Sequence, residues 1–427
     1  MNVAFVLMVV IAALFAGFSG TADAVGMAAL SGAKTAVELV LSLAGSIIFF
    51  LGLTSVVEAA GGLKLMARAI RPLMVRLFPN VPADHPAMGA MIMNLAANAL
   101  GLGNAATPFG LKAMAELSKI APRKGEASDA MCLFLAINTS GLALLPTGII
   151  ALRAGLGSQD PAAILPTTLL ATAASTVAGV SAALLLRRLP MFRASAPVTA
   201  EEPQAVVDLD VAEEQASSSD QDALSPQTVE GESWLPLLSI AAVMIALVVM
   251  VHLYGSRASA WILPGLITSM VLFGALRGVK VYEAFLSGAK EGLDLALSII
   301  PYLVAILGVV SMLRASGAVD AMVSATGELF AALGFPAEVL PLALLRPLTG
   351  SGAFAVTAEL AKTHGPDSVI GLIATTMNGS TETTFYVLAV YFGSVGVTRA
   401  RYAVAAGLTA DVVGALMSVV AVHWLLL

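Results

Sequence analysis

Two stretches of this chain bunch polar side chains that could do chemistry: Asn138-Thr139-Ser140-Gly141 and Asn378-Gly379-Ser380-Thr381-Glu382-Thr383-Thr384. Hydroxyls and carboxamides gathered within a few residues can bind a small polar molecule by hydrogen bonds. Glu382 adds a carboxylate able to hold a proton, a cation or a substrate group, or to pair with Arg346. Each cluster is preceded by a glycine-rich stretch, Gly101-Leu-Gly103-Asn104-Ala-Ala-Thr107-Pro108 in one case and Arg346-Pro-Leu-Thr-Gly350-Ser351-Gly352 in the other. Glycines there permit unusual dihedrals and close backbone approach, and Pro108 near a helix start lacks an N–H that would have no partner anyway. A lone Ser, Thr or Asn more often ties helices together, at ~0.6–2 kcal/mol per bond. Clusters at matching points of two repeats point instead to a site.

Other chemistries lack their parts. The single cysteine, Cys132, permits neither an internal disulfide nor a cysteine metal cluster. His85, His252, His364 and His423 show no metal-ligand spacing. A net charge of −6 without a basic block argues against nucleic acid. No nucleophile–base pair stands out, so the expectation is a non-enzyme without metal or cofactor. The 18 scattered methionines read as adaptable packing.

The elements that must carry these clusters follow from composition. The chain is 58% hydrophobic before its 38 glycines are counted and only 12% charged, against about 25% charged in an ordinary globular domain. Its mean hydropathy is +0.90. A soluble fold this poor in charge could not cover its surface, and runs such as 239–251 lack the alternation of a barrel strand. The reading is an all-α polytopic membrane protein. At about 20 apolar residues per crossing, spanning helices are expected near 3–20, 34–59, 128–155, 163–189, 234–253, 257–276, 283–313, 367–394 and 402–427. That makes nine crossings, with the N-terminus inside the cell membrane and the C-terminus outside. Residues 22–24, Ala-Asp-Ala, resemble a signal-peptidase site, but Met1-Asn-Val lacks the positive charge of a signal peptide, which favours an uncleaved first helix.

Segments 85–120 and 337–364 are too short and interrupted to cross twice. They are expected as two re-entrant hairpins with glycine-rich tips, because backbone at membrane depth survives only when buried in protein or lining a wet cavity. Residues 62–78, with Lys64, Arg68, Arg71 and Arg76 among apolar neighbours, read as an interfacial amphipathic helix. Glu382, Asp294 and Asp411 are the intramembrane acids, each costing at least ~2.5–3.5 kcal/mol to insert unless paired or wet.

The chain divides into a first unit (1–189), an acidic linker (190–232) and a second unit (233–427). The linker holds ten acids against Arg193 alone, a composition that reads as a disordered cytoplasmic tether. The units repeat one another. Ser31-Gly-Ala-Lys34 recurs as Ser287-Gly-Ala-Lys290, 256 residues on, and Asn138 recurs as Asn378, 240 residues on. Charge bias reverses between them: Lys64, Arg68, Arg71 and Arg76 stand opposite Arg314, Asp320, Glu328 and Glu338, and Asp160 opposite Arg399 and Arg401. Cytoplasmic loops are the basic ones, so two inverted repeats are expected.

At these residues a resemblance emerges. Asp84-His-Pro-Ala-Met88, Asn98-Ala-Leu-Gly-Leu-Gly-Asn-Ala-Ala-Thr-Pro108 and Ala136-Ile-Asn-Thr139 resemble the spore maturation protein A family. Gly288-Ala-Lys-Glu-Gly292, Ile300-Pro-Tyr-Leu-Val304, Arg346-Pro347, Gly365-Pro-Asp-Ser368, Asn378-Gly-Ser-Thr-Glu-Thr-Thr384 and Tyr391-Phe-Gly393 resemble the spore maturation protein B family. Both units are similar to the gate, or nucleoside-recognition, domains of iron and nucleoside transporters. The resemblance implies a membrane pathway and, in spore formers, a part in dehydrating the spore core. The expected site gathers Asn104, Thr107, Asn138, Thr139, Gly350, Ser351, Asn378, Ser380, Thr381 and Glu382 around a small polar or anionic solute, of which a nucleoside-like molecule is one candidate. A coupling proton or cation, the lipid bilayer and a second copy of the chain are the other candidate partners. The rival is a non-transporting membrane scaffold or sensor whose polar clusters only hold helices together.

Overall fold

The computed structural model describes residues 2–141, 143–192, 234–254, 261–318, 321 and 334–427. Most of the acidic linker, with Asp320 and Glu328, lies outside these residues. The described chain is helical, and its one extended pairing is a parallel bridge between Glu126 and Arg399. Helix α1 (Asn2–Ser19) leads into the long α2 (Ala22–Ala59), which reaches further back than the expected start at 34. At 1.5 Å per residue α2 extends ~57 Å, well beyond the ~30 Å hydrocarbon layer. Gly61, at φ +80°, ends the run, and α3 (Gly62–Leu77) departs at 70°. Leu63, Ile70 and Met74 on α3 are buried while Lys64, Arg68 and Arg76 face outward, the amphipathic pattern expected of this segment.

A helical hairpin follows, α4 (Pro86–Ala99) and α5 (Gly103–Lys119), turning at Gly101 with φ +75°. His85 starts α4 by accepting the Ala87 N–H on its Nδ1 at 3.1 Å. The expected crossing at 128–155 is two helices, α6 (Asp129–Thr139) and α7 (Thr147–Gly155), and α8 (Ile164–Leu186) closes the first unit. Helices α9 (Leu235–Tyr254) and α10 (Ile262–Leu276) connect to α11 (Val281–Ala315). The second hairpin is α12 (Leu340–Leu345) and α13 (Gly350–His364). The crossing expected at 367–394 is again two helices, α14 (Val369–Ser380) and α15 (Thr384–Ser394), before α16 (Ala403–Leu425). Ser128 caps α6 through the Met131 N–H and Ser368 caps α14 through the Gly371 N–H, two equivalent hydroxyls 240 residues apart.

Ala22–Leu41 within α2, α8 and α16 are long and apolar enough to cross a bilayer, and the bent α2–α3 pair offers a fourth crossing. The other apolar stretches among the described residues are shorter; they include Leu235–Ala246 within α9, Leu303–Ala315 within α11, and Asp129–Thr139, which the polar break ends.

The two units meet through equivalent helices lying antiparallel. A Cβ on Gly32 of α2 would lie 2.5 Å from the Leu307 carbonyl oxygen of α11, and one on Gly288 of α11 would lie 2.5 Å from that of Leu51 in α2. Gly288 is Gly32 plus 256, and Leu51 is Leu307 minus 256, so the two contacts are one contact made twice. Helices α8 and α16 pair in the same sense: Ser175 Oγ donates to the Ala410 carbonyl at 2.9 Å, and Gly179 packs on the Ala410 Cβ.

Candidate functional site

The breaks in the two divided helices meet each other. The Glu382 N–H donates to the Thr139 carbonyl at 2.9 Å, one break capping the other. Gly141, at φ +59°, lies against the Thr381 backbone, its own counterpart 240 residues on, where a Cβ would come within 2.7 Å of the Thr381 carbonyl carbon. Thr172 of α8 serves the first break by donating to the Ser140 carbonyl at 3.1 Å and also to that of Gly141. Helix ends in a membrane leave carbonyls and N–H groups without helical partners, and these bonds satisfy several of them.

Beside the crossing opens a cavity of about 260 Å³. The first hairpin contributes Asn98 and Gly101, and the first break Leu145, Pro146 and Thr147. The second hairpin contributes Arg346, Gly350 and Phe354, and the second break Asn378, Gly379 and Glu382. Both hairpin tips and both breaks therefore share one space. Its charged walls are Arg346 and Glu382, whose Nη2 and Oε2 lie 3.9 Å apart. The arginine side chain is 7% exposed and the glutamate 53%. Arg346 also donates from Nη1 to Thr383 Oγ1 at 3.0 Å, and its buried Nε has no partner among the described residues.

The expected site residues separate into two groups. Gly350, Asn378 and Glu382 line the cavity. Asn138 stands behind it: its Oδ1 accepts from Asn98 Nδ2 at 3.1 Å, which holds the first hairpin tip against the first break, and its Nδ2 donates to the Phe134 carbonyl. Asn378 plays the matching part by donating to Thr357 of the second hairpin at 2.8 Å. Thr139 and Ser380 turn their hydroxyls onto the carbonyls of Ala136 and Met377, and Thr381 is buried at the crossing. Ser351 sits 3.5 Å from the Thr349 hydroxyl that caps α13, and Thr107 lies on α5 away from the cavity lining. Asn104 is in the first turn of α5, with its side chain outside the described residues.

Sequence reasoning missed Asn98, Pro146, Thr147 and Phe354. Pro146 was the available signal, since it stands at the N-cap of α7 and marks where the helix restarts. The pairing of Glu382 with Arg346, one of the roles open to that carboxylate, is present at the edge of ion-pair range.

A model of the Gate family, described as nucleoside recognition, matches residues 40–155 and 296–398. Each matched stretch contains one hairpin and one broken helix, and together they make up half of the chain.

The chain belongs to the Gate family.

Two relatives place this Gate protein further. Spore maturation protein B of Bacillus subtilis (strain 168) is 46% identical over 160 residues, which is 38% of this chain and 90% of that protein. Spore maturation protein A of the same organism is 42% identical over 179 residues, 42% of this chain and 91% of that protein. The chain is homologous to both, each covering part of it, consistent with a fusion of the two. No solved structure matches it.

Proposed function

We propose that this Gate protein is a transporter that moves a small polar or anionic solute, nucleoside-like in class, through the cavity between its hairpin tips and broken helices. The observation that carries the reading is the convergence of both hairpins and both breaks on one space with Arg346 and Glu382 in its wall. Helix α13 begins at Gly350 and α7 at Thr147, both on the cavity. Helix N-termini carry partial positive charge and favour anionic or hydrogen-bond-accepting groups. Glu382 is exposed enough to exchange Arg346 for a solute hydroxyl or amine.

On this reading the halves are inverted in an inner membrane that the chain crosses nine times, with its N-terminus and acidic linker cytoplasmic. The duplicated glycine contacts between antiparallel α2 and α11 support inversion, and the reversed charge bias supports the orientation. No catalytic step is assigned to it.

A second reading, a membrane scaffold in envelope or spore maturation, draws on Thr139 and Ser380, whose hydroxyls are taken up by helix carbonyls and, for Ser380, by Ser418 of α16. A thermal-shift screen of the purified full chain against nucleosides, amino acids and organic acids separates the two. Transport predicts a stabilising solute whose effect is lost in Glu382→Gln while the variant still folds. A scaffold predicts no stabilising solute, and Glu382→Gln would then lower stability alone.

A further inference from the structure

Asp411 lies in the middle of α16, 7% exposed, and its two oxygens differ in their surroundings. Oδ2 accepts from Thr384 Oγ1 at 2.6 Å, whereas buried Oδ1 has no hydrogen-bond partner among the described residues. No described cation lies within 4.0 Å of either oxygen. The charged groups acting on it are Arg346, at the end of α12, and Glu382, in the break before α15. Of the other helices packed on α16, α8 and α14 carry no titratable side chain. Helix α6 carries Asp129 and Cys132, which face Tyr402 and Ala400, more than two turns from Asp411. Helix α15 carries Tyr386, which is exposed, and Tyr391, held by Asn94.

An ionised carboxylate in the hydrocarbon layer is costly unless paired or wet. Here it has one hydroxyl donor and one open oxygen. A proton added to the carboxylate neutralises the charge and so removes the cost of burying it in ionised form. The consecutive residues Glu382, Thr383 and Thr384 then connect this carboxyl to the cavity: the first two contact Arg346 and the third donates to Asp411.

We infer that Asp411 is a proton-binding site, linked through the 382–384 break to the solute cavity. The linkage rests on the proposed transport function, but the proton site does not.

Infrared difference spectra of the purified full chain, taken between weakly acidic and alkaline buffer, test it. Water-exposed carboxylates are already ionised over that range. The expected result is a protonated-carboxyl band in the wild type that is lost in Asp411→Asn and kept in Glu382→Gln. Thr384→Val provides a variant that retains the carboxylate. Without the hydroxyl donor to the ionised form, the band should persist to higher pH. Absence of the band in the wild type, its survival in Asp411→Asn, or its loss at alkaline pH only when sodium is added would overturn the inference. A uridine titration at several pH values reads the linkage. If the band behaves as expected while no solute in the screen stabilises the protein at any pH, the proton site stands and the transport reading fails.

Discussion

Arg153, fully buried at the end of α7, donates to Asp367 at 2.8 Å across the two halves of the chain. The reciprocal clasp closes at the opposite end of the crossed helices, where Arg401 meets Asp129, also at 2.8 Å. In each, an arginine from one half, Arg153 in the last turn of α7 or Arg401 after α15, pairs with an aspartate at the start of the other half's broken helix, beside the capping Ser368 or Ser128. The two differ in how much else they hold. Arg153 also donates to the carbonyls of Asp160, Pro161 and Pro366 and to the Ser158 and Thr375 hydroxyls. Arg401 reaches the carbonyls of Ala127 and Phe192.

Asp367 is 43% exposed, so its loss leaves the Arg153 charge partly compensated by carbonyl oxygens. Asp367→Asn should lower unfolding stability by about 1.5–3 kcal/mol, the range for a hydrogen bond to a charged group. Arg153→Met should cost more, because several buried carbonyls lose their donor together. Thermal unfolding in one detergent ranks the two, and an equal or smaller loss for Arg153→Met would reject this account.

Gly141 has no room for a side chain. Its φ of +59° alone makes Gly141→Ala unfavourable by ~1–2 kcal/mol, and the added Cβ would push on Thr381 and the Glu382 N–H. The substitution should therefore weaken solute-dependent stabilisation as well as the fold. Gly89→Ala in α4 is the control, since nothing lies within 4 Å of its Cβ position. It should be neutral or stabilising by about 0.5–1 kcal/mol.

The doubled contact between α2 and α11 makes a prediction about symmetry. Gly32→Val and Gly288→Val place the same bulk against the same kind of carbonyl, Leu307 in one case and Leu51 in the other. Their effects on unfolding temperature should agree closely. Gly45→Val, on the same helix with open space around it, should do little. A large difference between Gly32→Val and Gly288→Val would mean that the two contacts are not equivalent.

Helix type, the duplicated pattern, both hairpins and both breaks were legible in the sequence, because apolar runs interrupted by Gly, Pro and polar clusters leave few alternatives in a bilayer. The roles within the clusters were not. Asn138 and Glu382 look alike as polar groups at mid-helix, and only packing turns one toward Asn98 and the other into the cavity. The same holds for Arg153. Its position near a helix end reads as a flanking charge, and its burial depends on Asp367, 214 residues away. Helix α2 begins earlier than expected because 22–33, rich in Ala and Gly, carries no break that would end a helix. Asp411 has no polar neighbour in sequence, and its partner Thr384 comes from the start of α15, 27 residues earlier.

The last prediction concerns sidedness. Nine crossings with inverted halves require Lys124, before α6, to face the cytoplasm and Gln159, after α7, to face outward. The structure adds spatial partners: the Gln159 N–H donates to Asp367 at 2.8 Å, and the Thr398 N–H donates to the Gly125 carbonyl at 2.9 Å. Single cysteines introduced at 159 and 364 in a Cys132→Ser background should thus react together with an impermeant maleimide added outside intact cells. Those at 124 and 397 should react only after the cells are opened. Because each pair joins one residue from either half, the result reports on the two orientations at once. Labelling of 124 together with 159 from outside would exclude a membrane crossing by α6 and α7, and with it the inverted arrangement.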